Sequence, residues 1–282
     1  MKVAVIGAGT MGRGIAQVFA QSSHSVLLAD MVPEALPRAR KAIGESLERL
    51  SRKGSIKESA ETVLGRIRTI ERVEDLKGCD IYLEAVFERA DVKLDLFRKL
   101  NSIAGEGAIM ATNTSSISVN LLSGAVDEPG NFIGMHFFNP VPVMKLVEIV
   151  KAEKTFPETV ERVTSISKEL GKEPVVSKDF PGFISNRILM PLLREAMVCY
   201  QEGVASAEDI DKTAKLGFNH PMGPLELSDF IGLDVVRDIM EVLYYEFGEE
   251  RFKPPIVLRN MVNSGLLGRK SGSGFYRYGG SV

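Results

Sequence analysis

The chain has 282 residues, 44% of them hydrophobic and 26% charged, the balance of a globular protein with room for one large domain or two moderate ones. A net charge of −2 offers no basic field to nucleic acid or an anionic membrane surface, and the few aromatic residues stripe no basic face. The three histidines and two cysteines, Cys79 and Cys199, form no cluster, so no metal site is expected and both thiols read as reduced core residues.

Lys2 to Ile6 is a short apolar run that suits a strand buried on both faces. It is too short to cross a membrane and carries no signal-peptide cleavage pattern. No run of about 18 apolar residues, the length a membrane span needs, occurs in the sequence, and the expectation is a cytoplasmic protein without membrane or nucleic-acid partners. Next comes Gly7-Ala8-Gly9-Thr10-Met11-Gly12, and from Gly14 a helical rhythm of apolar residues. A GxGxxG alone carries little weight. Here it follows a strand and opens a helix, and the next apolar run, from Ser25, ends in Asp30, which completes a dinucleotide-binding fingerprint. Gly7 permits the tight turn, Gly9 lets the backbone approach a pyrophosphate, and Gly12 allows close helix–strand packing. The helix start at Thr10 and Met11 presents free N–H groups to the phosphates. Asp30 accepts from ribose hydroxyls and repels a 2′-phosphate, and Met31 and Val32 bring no arginine, so NAD is expected over NADP.

Residues 33–64 read as helix, with a loop near Gly54 and then a second helical piece. Ala35, Ala39, Ile43 and Leu47 recur at helical spacing, and Arg38, Lys41, Arg49, Arg52 and Lys53 lie elsewhere on the helix. Such a charged face is either a solvated surface or a clamp for an anionic, phosphate-bearing substrate. Ile67 to Ile70 is predicted as a third strand and Cys79 to Val86 as a fourth, ending beside Phe87 and Glu88. A helix from Ala90 to Ala104 carries Lys93 in its first turns, and a fifth strand, Ala108 to Thr112, runs into Asn113-Thr114-Ser115-Ser116. A serine there is a helix cap or a site residue at a strand's carboxyl end.

The stretch from Phe132 to Val150, FIGMHFFNPVPVMKLVEIV, holds two apolar runs about a Pro-rich turn. Each run carries one ionisable residue where a buried strand prefers a hydrophobe, His136 in the first and Glu148 in the second. On adjacent strands they are either a structural hydrogen bond or a general base with an orienting carboxylate. A helix from Pro157 to Leu170 and a strand from Glu173 to Ser177 follow. Beyond Phe183 only helices are predicted: Ile184–Glu202, Ala207–Leu216, Leu225–Phe247 with a possible break near Gly232, and Pro255–Val262. The tail from Gly268 is a Gly-rich loop with two cations. The expected architecture is a Rossmann-like, doubly wound, mostly parallel α/β domain over 1–180 and a smaller all-helical domain over 181–282.

VIGAGTMGRGIAQ, LEAVFE, TNTSSISV, MHFFNPVPVMKLVEIV, KDFPGFISNRILMP, LGFNHPMGPLELSDFIGLD and GRKSGSGFY, in that order, resemble the L-3-hydroxyacyl-CoA dehydrogenase family over essentially the whole chain, in its bacterial 3-hydroxybutyryl-CoA type. The resemblance implies an oxidoreductase that interconverts (S)-3-hydroxyacyl-CoA and 3-ketoacyl-CoA with NAD, or NADH in the reductive direction. It makes His136 the catalytic base and Glu148 its partner. It places Ser115 and Asn186 at the substrate oxygen and the nicotinamide region. Glu88, Lys93, Asn113, Asn139 and Lys270 are then cofactor contacts beside the fingerprint residues, and Ser46 and Lys53 hold the CoA moiety. It also implies a homodimer through the helical domain, whose apolar stretches LMPLLREAMVCY and FIGLDVVRDIM exceed what one layer buries. Fatty-acid breakdown and butanoate-type synthesis both remain open as pathways, as does acyl-chain preference.

Overall fold

A computed structural model describes residues 1–279, and the chain divides into two compact units, Met1–Phe183 and a second beginning at Ile184. In the first unit short apolar strands alternate with amphipathic helices. They run β1 (Lys2–Ile6), α1 (Thr10–Gln21), β2 (Ser25–Ala29), α2 (Ala35–Arg52), α3 (Ala60–Gly65), β3 (Ile67–Ile70), β4 (Ile81–Glu84), α4 (Ala90–Asn101), β5 (Ile109–Thr112), α5 (Val119–Ser123), β6 (Phe132–Phe137), β7 (Leu146–Lys151), α6 (Pro157–Glu169) and β8 (Glu173–Lys178). The strands form one sheet in the order β3-β2-β1-β4-β5-β6-β7-β8. Every neighbouring pair is parallel except β6 and β7, which the turn at 138–145 sets antiparallel.

Side-chain alternation sends each strand into two layers. Val3 and Val5 of β1 pack with Ile15 and Phe19 of α1 and Ile43 and Leu47 of α2. Ala4 and Ile6 face the opposite layer, with Phe97 and Leu100 of α4 and Leu122 of α5. Cover on both faces is why β1, β2, β4 and β5 are apolar through their middles rather than alternating. Each such buried Leu, Ile or Phe contributes about 1.5–3 kcal/mol. Strand order reverses between β1 and β4, and the chain leaves their carboxyl ends in opposite directions, which opens a crevice there.

The helix, loop and second helical piece expected over 33–64 are α2 and α3, because Lys53 closes α2 and Gly54 turns the chain at φ 66°. The buried stripe Leu36, Ala39, Ile43 and Leu47 lays α2 along the sheet layer, and its charged face looks outward. β4 is shorter than the run from Cys79 to Val86. Its ladder ends at Glu84, paired with Ile6 of β1, where the crevice begins.

The second unit comprises α7 (Ser185–Gln201), α8 (Ala207–Gly217), α9 (Pro224–Ile231), α10 (Leu233–Phe247) and α11 (Ile256–Asn263). Its own core gathers Leu193, Met197, Leu225, Val236, Met240 and Leu243. The helix expected over Leu225–Phe247 is α9 and α10, divided by Gly232 at φ 106°, a conformation side-chain-bearing residues rarely adopt. The Gly-rich tail is anchored. Asp229 of α9 accepts from the backbone N–H groups of Phe275 and Tyr276 and from the Tyr278 hydroxyl, and Asp211 of α8 accepts from the Tyr276 hydroxyl while capping the start of α9.

Candidate active site

The crevice fits a dinucleotide by what its glycines would lose with a side chain. A Cβ on Gly7, which sits at φ 108°, would stand 2.3 Å from the Ala85 carbonyl oxygen, and one on Gly12 would stand 1.7 Å from that of Gly7. A Cβ on Gly9 would meet nothing within 4 Å, so its backbone faces open space. No side chain caps α1, and its first turn carries no acidic residue, so the N–H groups and the positive dipole end are left to a bound phosphate. Gly7, Gly9, Thr10, Met11 and Asp30 line a cavity of about 470 Å³ here. Asp30 accepts from the backbone N–H of Ala8 at 2.6 Å and of Val32 at 2.8 Å, which aims its carboxylate along the crevice rim. Arg38 of α2 lines the same cavity; reading only the residues beside Asp30 overlooked it.

His136 and Glu148 sit directly opposite each other in the antiparallel β6–β7 register. Their side chains meet at 2.8 Å, His136 Nδ1 to Glu148 Oε2, and both residues are buried. A carboxylate that accepts at Nδ1 keeps the ring proton there and leaves the Nε2 lone pair directed at the Ser115 loop. Ser115, on the loop after β5, places its Oγ 3.1 Å from that Nε2. The rings of Phe138 and Phe183 lie 4.7 and 5.7 Å from the imidazole and wall it from solvent. Asn113, the first residue of the same loop, accepts the Phe137 N–H at 2.9 Å and ties the loop to β6.

Glu88 and Lys93 belong to one polar network beneath that loop. Glu88 accepts from the Thr114 hydroxyl and from the N–H groups of Ser115 and Ser116. Lys93 is 1% exposed, with its ammonium 2.6 Å from Glu84 and 3.0 Å from Glu88. Its charge is therefore held by two carboxylates of the chain itself. Burial pushes the Glu84 carboxyl up, against the pull of Lys93. At Glu88 burial acts in the same direction but is outweighed by Lys93 and the hydroxyl and amide donors, which hold it below the ordinary range. Glu84 was missed from the sequence, although a lone carboxylate in the apolar run IYLE is the same mark that singles out His136 and Glu148.

Asn139 and Ser46 line a second cavity of about 270 Å³, with Arg13, Gln17 and Arg49. Lys53 is the exposed residue that closes α2. The turn carrying Asn139 has a clamp that sequence reasoning also missed. Buried Lys172 donates to the carbonyl oxygens of Val141 at 2.5 Å and Met144 at 2.8 Å, and burial lowers its pKa. Asn186 and Lys270 stand in the other unit, Asn186 in the first turn of α7 and Lys270 with its ammonium 2.6 Å from Asp234. Among the described residues no helix is long and apolar enough to cross a membrane.

Known proteins match the chain along its length. Residues 2–180 match the model of the 3-hydroxyacyl-CoA dehydrogenase NAD-binding domain, and residues 182–278 match that of the 3-hydroxyacyl-CoA dehydrogenase C-terminal domain. The chain is 51% identical to a probable 3-hydroxybutyryl-CoA dehydrogenase of Deinococcus radiodurans, over 99% of this chain and 100% of that one. It is 42% identical to the mitochondrial hydroxyacyl-coenzyme A dehydrogenase of Homo sapiens, over 98% of this chain and 90% of the other. The crystal structure of an (S)-3-hydroxybutyryl-CoA dehydrogenase from Ralstonia eutropha superposes with a TM-score of 0.94 at 44% identity, covering 99% of both chains. A Rossmann-type NAD-binding unit, a helical unit and matches spanning both place the chain in the 3-hydroxyacyl-CoA dehydrogenase family.

Proposed function

We propose that this protein interconverts (S)-3-hydroxyacyl-CoA and 3-ketoacyl-CoA, with 3-hydroxybutyryl-CoA and acetoacetyl-CoA as its working pair. One observation carries the proposal: His136 Nε2 faces the Ser115 hydroxyl at 3.1 Å while its Nδ1 is held by Glu148 at 2.8 Å. Bound NAD supplies a hydride acceptor for C3 of the alcohol, and NADH the hydride in the reductive direction. In oxidation, neutral His136 takes the hydroxyl proton at Nε2 as the hydride leaves C3. Glu148 fixes the tautomer beforehand and stabilises the imidazolium afterwards. In reduction the imidazolium returns the proton to the substrate oxygen. Such general acid–base help contributes about 10²–10⁴-fold. The Ser115 hydroxyl holds the substrate oxygen against Nε2, and Asn186 of the helical unit is assigned to the same oxygen. Ser46, Lys53 and the basic residues of α2 hold the CoA moiety, the clamp reading of that face. A homodimer through the helical unit and a cytoplasmic location, which suits the two free thiols, complete the proposal.

The test is a steady-state series of short to long 3-ketoacyl-CoA substrates, with NADH and NADPH in parallel. We expect turnover of acetoacetyl-CoA with NADH and a strong preference over NADPH, set by Asp30. Turnover of free hydroxy acids without CoA, or tight NADH binding with no acyl-CoA turnover, would overturn the reading.

A further inference from the structure

The loop that carries Ser115 is held from below by a carboxylate that touches neither Ser115 nor His136. Glu84 ends β4, in register with Ile6 of β1 on one side and Thr112 of β5 on the other. It is 0% exposed in a strand whose other residues are all apolar or aromatic, a place where a charge costs desolvation unless its partners compensate. Two routes lead from it to the loop. The first runs from Glu84 Oε1 to Lys93 Nζ at 2.6 Å, and on to Glu88 Oε2 at 3.0 Å. Glu88 Oε1 then accepts from the Thr114 hydroxyl at 2.6 Å and from the N–H groups of Ser115 at 2.8 Å and Ser116 at 2.9 Å. The second runs from Glu84 Oε2 to the Thr112 hydroxyl at 2.6 Å, whose oxygen accepts the Thr114 N–H at 3.2 Å. Both routes end within one residue of Ser115, whose Oγ faces His136 Nε2.

We propose that Glu84 is a positioning residue for the His136 reaction. By holding Lys93 and Thr112 it fixes the loop after β5 in the place that keeps the Ser115 hydroxyl at hydrogen-bond distance from Nε2. This rests on His136 being the proton-exchanging group of the proposed reaction. The part of the network formed by Glu84, Lys93 and Thr112 is buried and partnered, hence stiff, and a loop displacement of about 1 Å at a reacting group can cost about 100-fold in rate.

The experiment is a double-mutant cycle with acetoacetyl-CoA and NADH on wild type, Glu84→Gln, Ser115→Ala and the double variant, with NADH affinity from fluorescence titration. Glu84→Gln is expected to lower kcat about 10- to 100-fold while the Kd for NADH stays within about twofold. In the Ser115→Ala background the same change should add almost nothing, since the group it positions is gone. Independent, multiplying losses, an unchanged kcat, or a loss confined to NADH affinity would each overturn the proposal. If Glu84→Gln does not fold, Thr112→Val takes its place, because it preserves the ion pair and cuts the second route. It should give a smaller loss that likewise vanishes with Ser115→Ala, and multiplying losses or full kcat would again overturn the proposal. The wild-type rate tests the function itself, so failure of the acyl-CoA reading appears there and failure of this inference only in the variants.

Discussion

An imidazole in an apolar strand is stable only where its two nitrogens are answered, and His136 has a carboxylate on one and a hydroxyl on the other. A structural histidine would need no more than this. What separates a base from a satisfied core residue is whether the proton moves. Glutamine can keep hydrogen bonds at both ends but cannot take a proton at Nε2. His136→Gln should therefore lower kcat by about 10²–10⁴-fold and leave NADH binding in place, measured by stopped assay and fluorescence titration. Near-normal turnover would return His136 to the core. At this scale a charged or ionisable residue within an apolar run, or at its end, is what marked His136, Glu148 and Asp30 in the sequence. Glu84 carried the same mark and became meaningful only with Lys93 and Thr112 seen around it. Lys172 was not legible, because its partners are backbone carbonyls of a turn, Val141 and Met144, and no residue type advertises those.

At the level of elements, periodicity located each strand of the sheet and each helix of the second unit, and element ends moved where the backbone has its own demands. β4 stops at the crevice edge, short of the run that predicted it, whereas the break expected near Gly232 is where α9 gives way to α10. Five-residue α5 is too short to show a helical period, and the antiparallel sense of β6 and β7 is set by how the turn at 138–145 folds back, which local apolar pattern left open. The tail shows why composition alone misleads. It reads as a Gly-rich loop with two cations, yet a Cβ on Gly274 would stand 2.0 Å from Asp229 Oδ1, and one on Gly268 would stand 2.3 Å from the Asp229 carbonyl oxygen. Asp229 cannot swing aside without releasing the two backbone N–H groups and the Tyr278 hydroxyl that it satisfies. These glycines admit a close approach. Gly274→Ala is expected to destabilise the helical unit by about 1–3 kcal/mol, the usual cost of overpacking. The measurement is the urea midpoint, and an unchanged value would mean the tail is not anchored as described.

For the molecule as a whole, the two units differ in how completely they cover their own apolar surface. Apart from its exposed edge strand β8, the sheet of the first unit is packed on both faces, with its cores continuous through α1, α2 and α6 on one side and α4 and α5 on the other. The smaller helical unit has one core and leaves large apolar side chains outside it. Leu216 is 77% exposed, Phe218 66% and Tyr245 87%, and Ile188 and Leu192, one turn apart on α7, also face outward. A small domain buries a smaller share of its surface than a large one, and exposed groups of this size are relieved by association. A second copy of the chain is the partner such a surface suits, because a two-fold interface meets each patch with its own counterpart. A stable interface of this kind takes about 800 Å² from each partner. Light scattering at micromolar concentration should therefore give twice the chain mass of 30.9 kDa. Replacing Leu216 and Phe218 together by serine should move the mass toward that of a single chain, with little effect on NADH binding by the first unit. A wild-type mass of one chain would rule the dimer out.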